Sequence, residues 1–257
     1  MRLLAYGASH VGHVRRRNED IAIVGRDFVR DATADAAVVL GPGERFTAGV
    51  ADGLGGEAAG DVASETAARE FVRLVDEAGA NSTLRENLAR IAELTNDEVT
   101  RKPFLAPRLS GMATTLTAAI FGDDSLQIVH AGDTRLYRFR TQLERLTRDH
   151  SQQEMSGDPR IPRNILANCL GGVGRFFADT GTIAAAEGDI FVFSSDGLTD
   201  MLSDDTIEET LRDATKTGPG VRTAGNNLVE AALSAGGIDN ITVVVVVVER
   251  LKSERSK

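Results

Sequence analysis

The chain has 257 residues, 42% hydrophobic and 26% charged, and no apolar run approaches the roughly 20 residues that span a bilayer, so composition argues against a membrane-spanning protein. The formal net charge of -9 argues against a nucleic-acid surface, which is expected to be basic. One cysteine, Cys169, excludes an internal disulfide, and with no basic and then apolar leader we expect a cytoplasmic protein. We find no linker and expect one domain over residues 1–257, with a charged tail at 249–257.

The first half of the chain predicts short strands followed by two helices. Apolar runs predict strands at residues 3–9, 21–24 and 45–50, and a polar connection at 12–20 joins the first two. Residues 27–44, rich in Asp, Ala, Gly and Pro, predict a loose hairpin or loop. Helical spacing begins at Ala59. A second amphipathic helix begins at Thr83, where Thr83 and Glu86 form a capping box, and ends at Pro103.

The second half predicts mainly strands. Residues 114–121 and 125–130 flank a Gly-Asp-Asp turn, and residues 135–140 add a third strand, so we expect an antiparallel meander. Residues 151–164 predict an irregular surface loop near a site. The remaining predicted elements are a strand at 189–194, a helix at 204–214 capped by Ser203, a helix at 222–235 and a buried strand of six valines at 243–248.

Five aspartates share one local setting, the edge of a predicted strand beside a glycine or a polar turn: Asp20, Asp52, Asp133, Asp196 and Asp239. Carboxylates and a main-chain carbonyl such as that of Gly53, without a His or Cys cluster, are the donor set of Mg²⁺ or Mn²⁺ and a poor set for zinc or copper. Each turn alone is also explained as an ordinary Asx or Gly-Asp turn. Spacing leaves two alternatives open: the turns are scattered over the surface, or they converge on metal.

Two further candidates come from charged and titratable residues near these turns. Arg15 and two more arginines precede Glu19 and Asp20, and a guanidinium is a planar fork of donors suited to phosphate. Basic and acidic residues together in a loop are usually only a solvated turn. His150 offers a general acid, but a lone histidine is more often a structural hydrogen-bonding group, and we expect that role here.

Eight short motifs, in order along the chain, resemble the motif series of metal-dependent protein serine/threonine phosphatases, the type 2C or PPM family, in its bacterial form. They are RRRNED (15–20), VADGLGG (50–56), GMATT (111–115), GDTR (132–135), DHS (149–151), LGG (170–172), SSDGLTD (194–200) and DNIT (239–242). The resemblance covers about residues 5–248. It implies an α+β fold, a four-layer αββα sandwich in which two central antiparallel β-sheets are flanked by helix pairs.

Carried over by motif, the resemblance implies that Asp52 bridges two divalent cations, Mn²⁺ or Mg²⁺. The Gly53 carbonyl would lie on one ion, and Asp196 and Asp239 on the other. The implied activity is hydrolysis of phosphoserine and phosphothreonine on proteins by a hydroxide that bridges the two ions.

The same resemblance implies that Arg15 binds the substrate phosphate and that Asp133 holds a third metal ion more weakly. Glu19 and Asp20 would act mostly through metal-bound water. The implied partners are phosphorylated proteins, modified by a bacterial serine/threonine kinase or a partner-switching system that this enzyme opposes. We expect a monomer with no nucleic-acid or membrane partner.

The chain departs from the family pattern in two places. Leu54 stands where eukaryotic members often have a histidine that can protonate the leaving alkoxide, so the general acid is unassigned. The flap at residues 152–166 is short compared with many bacterial relatives, which puts substrate access and third-metal binding in question. No phosphoenzyme is required, so neither Ser194 nor Ser195 needs to be a nucleophile.

Two other classes of protein are alternatives. One is a non-catalytic domain of the same fold that senses a partner, which we disfavour because every matching donor is present. The other is a structural acidic protein that binds Ca²⁺, which we rank last because no stretch has the alternating ligands of an EF-hand closed by Glu.

Overall fold

The computed structural model describes residues 1–55, 59–79, 84–215 and 220–249. Two six-stranded antiparallel sheets share a central apolar core, and helices pack on both outer faces. The predicted α+β sandwich of four αββα layers is confirmed. The elements are β1 (Arg2–His10), β2 (Ile21–Val24), β3 (Asp27–Val29), β4 (Thr33–Val39), β5 (Phe46–Ala51), β6 (Gly53–Leu54), α1 (Gly60–Glu77), α2 (Leu84–Leu105), β7 (Ala113–Thr114), β8 (Leu116–Gly122), β9 (Ser125–Ala131), β10 (Arg135–Phe139), β11 (Leu143–Arg145), α3 (Gln152–Ser156), β12 (Asp179–Ala184), β13 (Ile190–Ser194), α4 (Asp196–Thr199), α5 (Asp204–Thr215), α6 (Val221–Ser234) and β14 (Ile241–Glu249).

Sheet I has the strand order β11-β10-β13-β14-β1-β4, and sheet II has the order β12-β9-β8-β5-β2-β3. Strands β6 and β7 pair in a separate two-stranded ribbon. Among the described residues, no helix is both long enough and apolar enough to cross a bilayer.

The valines of β14 explain how sheet I is buried on both faces. β14 lies between β13 and β1. Val244 and Val246 pack in the core between the two sheets, whereas Val243 and Val245 pack against the layer of α5 and α6. Because successive side chains of a strand point to opposite faces, a strand covered on both faces needs no polar alternation. The predicted buried strand is confirmed.

Helices α1 and α2 cover sheet II through apolar side chains that include Phe71, Val75 and Leu88. Both helices were expected, but α2 does not end at Pro103; it continues to Leu105. Proline in the last turn removes one backbone donor, and the Ala106 N–H still bonds the Lys102 carbonyl at 3.0 Å. The capping box predicted at Thr83 lies outside the described residues.

Helices α5 and α6 cover sheet I. The backbone N–H of Thr206 donates to Ser203 Oγ at 3.2 Å, so the predicted cap of α5 is confirmed.

Two expectations about strands are wrong. Residues 27–44 contain β3 and β4, which are edge strands of different sheets, where we expected a loose hairpin or loop. The Ala-rich sequence of β4 does not predict a strand. The strand forms because β1 pairs with it along its whole length. Strand β10 does not extend the β8–β9 hairpin into a meander; it crosses to sheet I and pairs with β13.

Gly49 in β5 lies where the neighbouring strand leaves no room for a side chain. A Cβ atom there would be 2.6 Å from the Thr117 carbonyl oxygen and 2.8 Å from the Cα of Ala118. We expect Gly49→Ala to lower the free energy of unfolding by about 1–3 kcal/mol, because the backbone of β8 must move. Urea unfolding measures this change.

Gly181 in β12 is the matched control. A Cβ atom at this position meets nothing within 4 Å, so Gly181→Ala should change the free energy of unfolding by less than about 0.5 kcal/mol. Equal effects of the two substitutions would contradict the packing described for Gly49.

Candidate metal centre

Strand register in sheet II places two of the predicted acidic residues side by side. Ile21, the first residue of β2, pairs with Ala51, the last residue of β5. Asp20 precedes the first of these residues and Asp52 follows the second, so both lie at the same end of the sheet.

Sheet I brings the other acidic turns to a common end in the same way. Ser194, the last residue of β13, pairs with Arg135 at the start of β10 and with Val243 near the start of β14. The acidic residues just outside these strand ends are Asp133, Asp196 and Asp239. The crossing of the chain from β9 to β10, which sequence patterns did not predict, is what places Asp133 here.

The five carboxylates are close enough to act on one another. Burial raises the pKa of Asp52 well above 3.8, and the charges of the other four aspartates raise it further. Asp52 and Asp196 act directly on each other's pKa, so their carboxyl groups are near neighbours. Burial, followed by the charge of Asp239, raises the pKa of Asp196 to about 6. The turns therefore converge and are not scattered over the surface.

Asp20 is the most deeply buried member of the group, at 1% exposure. Burial raises its pKa to about 8, although the nearby polar side chains of Ser195 and Thr242 oppose the shift. Within the described part of the chain, its Oδ2 atom is buried and has no hydrogen-bond partner. A buried carboxylate oxygen without a partner is costly, and a cation or a water held by a cation would satisfy it.

The donor set fits a hard divalent cation. It consists of carboxylate oxygens and the main chain at Gly53, where a Cβ atom would lie 2.1 Å from the Gly60 carbonyl oxygen. Among the described residues, no group of three or more His, Cys, Asp or Glu side chains is already arranged to hold a metal ion. Carboxylates that repel one another are expected to stay apart until a positive charge draws them together.

Two threonines fix the backbone of Asp52. The Asp52 N–H donates to Thr115 Oγ1 at 2.9 Å, and the Asp52 carbonyl accepts from the Thr115 N–H at 2.9 Å and from Thr114 Oγ1 at 2.8 Å. Both threonines lie in the GMATT motif, but the sequence alone predicts no role for them. Their function is to hold the turn that carries the carboxylate.

Asn240 holds the loop that carries Arg15 and Glu19. Its Oδ1 accepts from the Glu19 N–H at 2.8 Å, and its Nδ2 donates to the carbonyls of Val11 and Arg17 at 2.9 Å each. This amide therefore clamps both ends of residues 11–19 beside Asp239. The sequence did not predict this role, although the position of Asn240 directly after Asp239 in the DNIT motif was a signal.

Arg15 and Glu19, from the loop before β2, contact different parts of the site. Arg15 Nη2 donates to Asp239 Oδ2 at 2.6 Å, so the arginine expected to bind phosphate is paired with an expected metal ligand. The Glu19 carboxylate lies next to Gly60 at the start of α1, and burial, followed by the charge of Asp61, raises its pKa.

Asp133 lies where the flap approaches the acidic group. Burial, followed by the charge of Asp196, raises its pKa to about 8. It shares a small cleft with Arg163 and Asn164 of the flap. Arg135 borders the same cleft, but its guanidinium makes a buried two-point ion pair with Asp149, at 3.0 and 2.7 Å, and so acts within the scaffold.

His150 acts as a structural residue. Its Nδ1 accepts from the Asn168 amide at 2.8 Å and from the Gly132 N–H at 3.3 Å, and its Nε2 donates to Asp179 at 3.2 Å. Both ring nitrogens are engaged, and the histidine supports the turn that leads to Asp133.

The two ends of the flap at 152–166 are hydrogen-bonded to each other. It begins with the short helix α3, which the prediction of an irregular loop missed. The Gln152 N–H donates to the Ile165 carbonyl at 2.7 Å, and Ser151 and Leu166 form an isolated bridge. These contacts make a compact loop whose Arg163 reaches the cleft beside Asp133.

The fold and the acidic end of the sandwich define the class of protein: the chain belongs to the protein phosphatase 2C family, whose model matches residues 23–233. It is 34% identical over 232 residues to the serine/threonine protein phosphatase PstP of Mycobacterium tuberculosis, a match that covers 86% of this chain and 43% of that protein. The chain thus spans less than half the length of this relative. It is 35% identical to the serine/threonine phosphatase stp of Listeria monocytogenes, with coverage of 77% and 82%.

Solved structures agree with this placement. The crystal structure of the Mycobacterium tuberculosis phosphatase PstP/Ppp matches with a TM-score of 0.78 and 31% identity, over 96% of this chain and all of that chain. A second structure of the PstP catalytic domain, in complex with two manganese ions, matches with the same TM-score and identity over 97% of this chain and 100% of that chain.

The raised pKa values predict how the stability of the metal-free protein depends on pH. Asp20 and Asp133, raised from 3.8 to about 8, keep protons in the folded state at pH values where the unfolded chain has lost them. The folded state then binds more protons, so the free energy of unfolding should fall as pH rises toward 8, by up to about 1.4 kcal/mol per pH unit for each group. Burial lowers the pKa of His130 from 6.5 to about 4, which has the opposite effect on stability. That effect changes mainly between these two pKa values, and so mostly below the pH range in which the aspartates lose their protons.

Urea unfolding in chelator between about pH 6.8 and pH 8 measures the slope. Asp20→Asn should make it shallower, because the proton that Asp20 holds in the folded state is removed. A wild-type slope that is flat or rises with pH would contradict the shifts.

Proposed function

We propose that this chain hydrolyses phosphoserine and phosphothreonine esters on proteins with two divalent cations, Mn²⁺ or Mg²⁺. Asp52 and the Gly53 carbonyl would hold one cation, and Asp52, Asp196 and Asp239 would hold the other. The observation that carries the proposal is the convergence of five carboxylates at one end of the sandwich, one of them with a buried oxygen that has no hydrogen-bond partner among the described residues. The manganese-bound relative supports the choice of metal.

When bound, the two cations supply a nucleophile at neutral pH and offset the charge on the transferring phosphoryl group. The chain's own residues orient these groups. Thr114 and Thr115 fix the backbone of Asp52, and Asn240 fixes the loop of Arg15. We assign Arg15 to the substrate phosphate, because a guanidinium matches phosphate oxygens as a planar fork.

Glu19, Asp20 and Asp133 have supporting roles in this proposal. Glu19 and Asp20 would orient water at the cations, and Asp133 would hold a weaker third cation near the flap. Leu54 has no titratable group and both nitrogens of His150 are engaged, so neither protonates the leaving group.

Phosphorylated proteins are the substrate class that we propose, because the relatives are named serine/threonine phosphatases. On that basis the enzyme opposes a serine/threonine kinase, and we place it in the cytoplasm as a monomer.

Asp196→Asn tests the ligand assignment. It removes charge at the proposed second cation and little packing, so the Mn²⁺-dependent rate on p-nitrophenyl phosphate and on a phosphothreonine peptide should fall more than about a hundredfold, since even supporting partners of a metal often cost that much. The circular dichroism spectrum should be unchanged. Asp123→Asn, in the turn between β8 and β9, is the matched control and should keep the wild-type rate.

A near-wild-type rate for Asp196→Asn would show that the assignment is wrong. Binding of Mn²⁺ by the wild type without hydrolysis of either substrate would instead favour the non-catalytic sensor.

Ser194→Ala tests the absence of a serine nucleophile. Ser194 Oγ is buried with no hydrogen-bond partner among the described residues, and the Oγ of its neighbour Ser195 accepts from the Thr242 N–H at 3.0 Å. Ser194→Ala should therefore keep the hydrolysis rate within about twofold, since it removes no interaction and a buried hydroxyl without a partner is unfavourable. Loss of turnover with retained fold would point to a covalent phosphoenzyme.

A further inference from the structure

Arg15 is engaged before any substrate arrives. Its Nη2 atom lies 2.6 Å from Asp239 Oδ2, while the other oxygen of that carboxylate accepts from the Asn240 N–H at 2.8 Å. Both oxygens of Asp239 are thus occupied by donors from the protein. If Asp239 is a cation ligand, the cation has to share these oxygens with the donors, and one of the donors, Arg15, carries a positive charge.

The charges around Arg15 explain why it rests there. The carboxylates of Asp239, Asp196 and Asp52 all stabilise its positive charge. The guanidinium therefore occupies the negative field in which a divalent cation would bind. Two positive charges beside one carboxylate repel each other, and partial exposure of the pair weakens this repulsion without removing it, so the guanidinium and the cation disfavour each other at Asp239.

The side chain can leave this position without movement of the loop. The Arg15 side chain is 55% exposed, so more than half of its surface faces solvent, into which the guanidinium can turn. The backbone on both sides of Arg15 is fixed by the Asn240 amide, through the carbonyls of Val11 and Arg17. A side-chain rotation is therefore enough to exchange one partner for another.

We propose that Arg15 and a divalent cation are alternative partners of Asp239: Arg15 neutralises this carboxylate in the metal-free chain, and cation binding releases the guanidinium to take the substrate phosphate. This inference rests on the proposed function. It makes phosphate recognition depend on metal loading, so that the metal-free chain does not capture phosphorylated proteins that it cannot hydrolyse.

Mn²⁺ affinity tests the competition without use of the catalytic rate. Free Mn²⁺ is measured by electron paramagnetic resonance in titrations of the wild type, Arg15→Gln and Arg16→Gln. Loss of a competing, partly exposed ion pair should make Arg15→Gln bind Mn²⁺ about two- to fivefold more tightly than the wild type. Arg16 is exposed on the same loop, and Arg16→Gln removes the same charge, so it should bind Mn²⁺ as the wild type does.

The stability of the metal-free protein gives a second readout. In chelator, Arg15→Gln should have a lower Tm than Arg16→Gln, because its carboxylates lose their counter-charge, and saturating Mn²⁺ should remove that difference. Inorganic phosphate should bind the wild type in the presence of Mn²⁺ and not in chelator.

Unchanged or weaker Mn²⁺ binding by Arg15→Gln, in a wild type that binds Mn²⁺, would overturn this inference and leave the proposed function standing. Absence of Mn²⁺ binding by the wild type would overturn both. An equal gain in affinity for Arg15→Gln and Arg16→Gln would show a general effect of charge and would also overturn the exchange at Asp239.

Discussion

Mutual repulsion among buried carboxylates is the constraint around which the acidic end of this protein is built. Five aspartates are drawn to one end of the sandwich by strand register, and burial together with their neighbours raises the pKa of at least four of them. Such an arrangement opposes folding and is stable only because the rest of the structure fixes it. Three apolar layers, one between the sheets and one under each helix pair, supply the favourable burial that offsets it.

Positioning of the carboxylates is local and uses backbone contacts. Thr115 holds the turn of Asp52, and Asn240 holds the loop that ends at Asp20. Gly53 allows the main chain to approach where a side chain would collide. These contacts bind main-chain atoms, so they fix the turns from which the carboxylates of Asp52 and Asp20 project. At Asp239 the carboxylate itself is engaged, by the Arg15 guanidinium and by the Asn240 N–H.

Sequence patterns predicted the parts of the structure that depend on neighbouring residues. The buried valine strand, the four long helices and the cap at Ser203 follow from periodicity and local hydrogen bonding, and the aspartates were identified by their strand-end turns. The path of β10 was missed because turn chemistry describes a hairpin but not which sheet receives the next strand. Strand β4 was missed because pairing with β1, and not its own sequence, makes it a strand.

The contacts across the site could not be predicted, since they join residues far apart in sequence. Arg15 and Asp239 are separated by 224 positions, and no spacing rule pairs them. The motif resemblance supplied roles for these residues but not their pairing. Anomalous diffraction at the manganese edge, from crystals grown with Mn²⁺, would test whether the aspartates form a two-cation centre. We expect two peaks roughly 3.5–4 Å apart with the Asp52 carboxylate between them; no peak within ligand distance of Asp52, in crystals that bind manganese elsewhere, would contradict it.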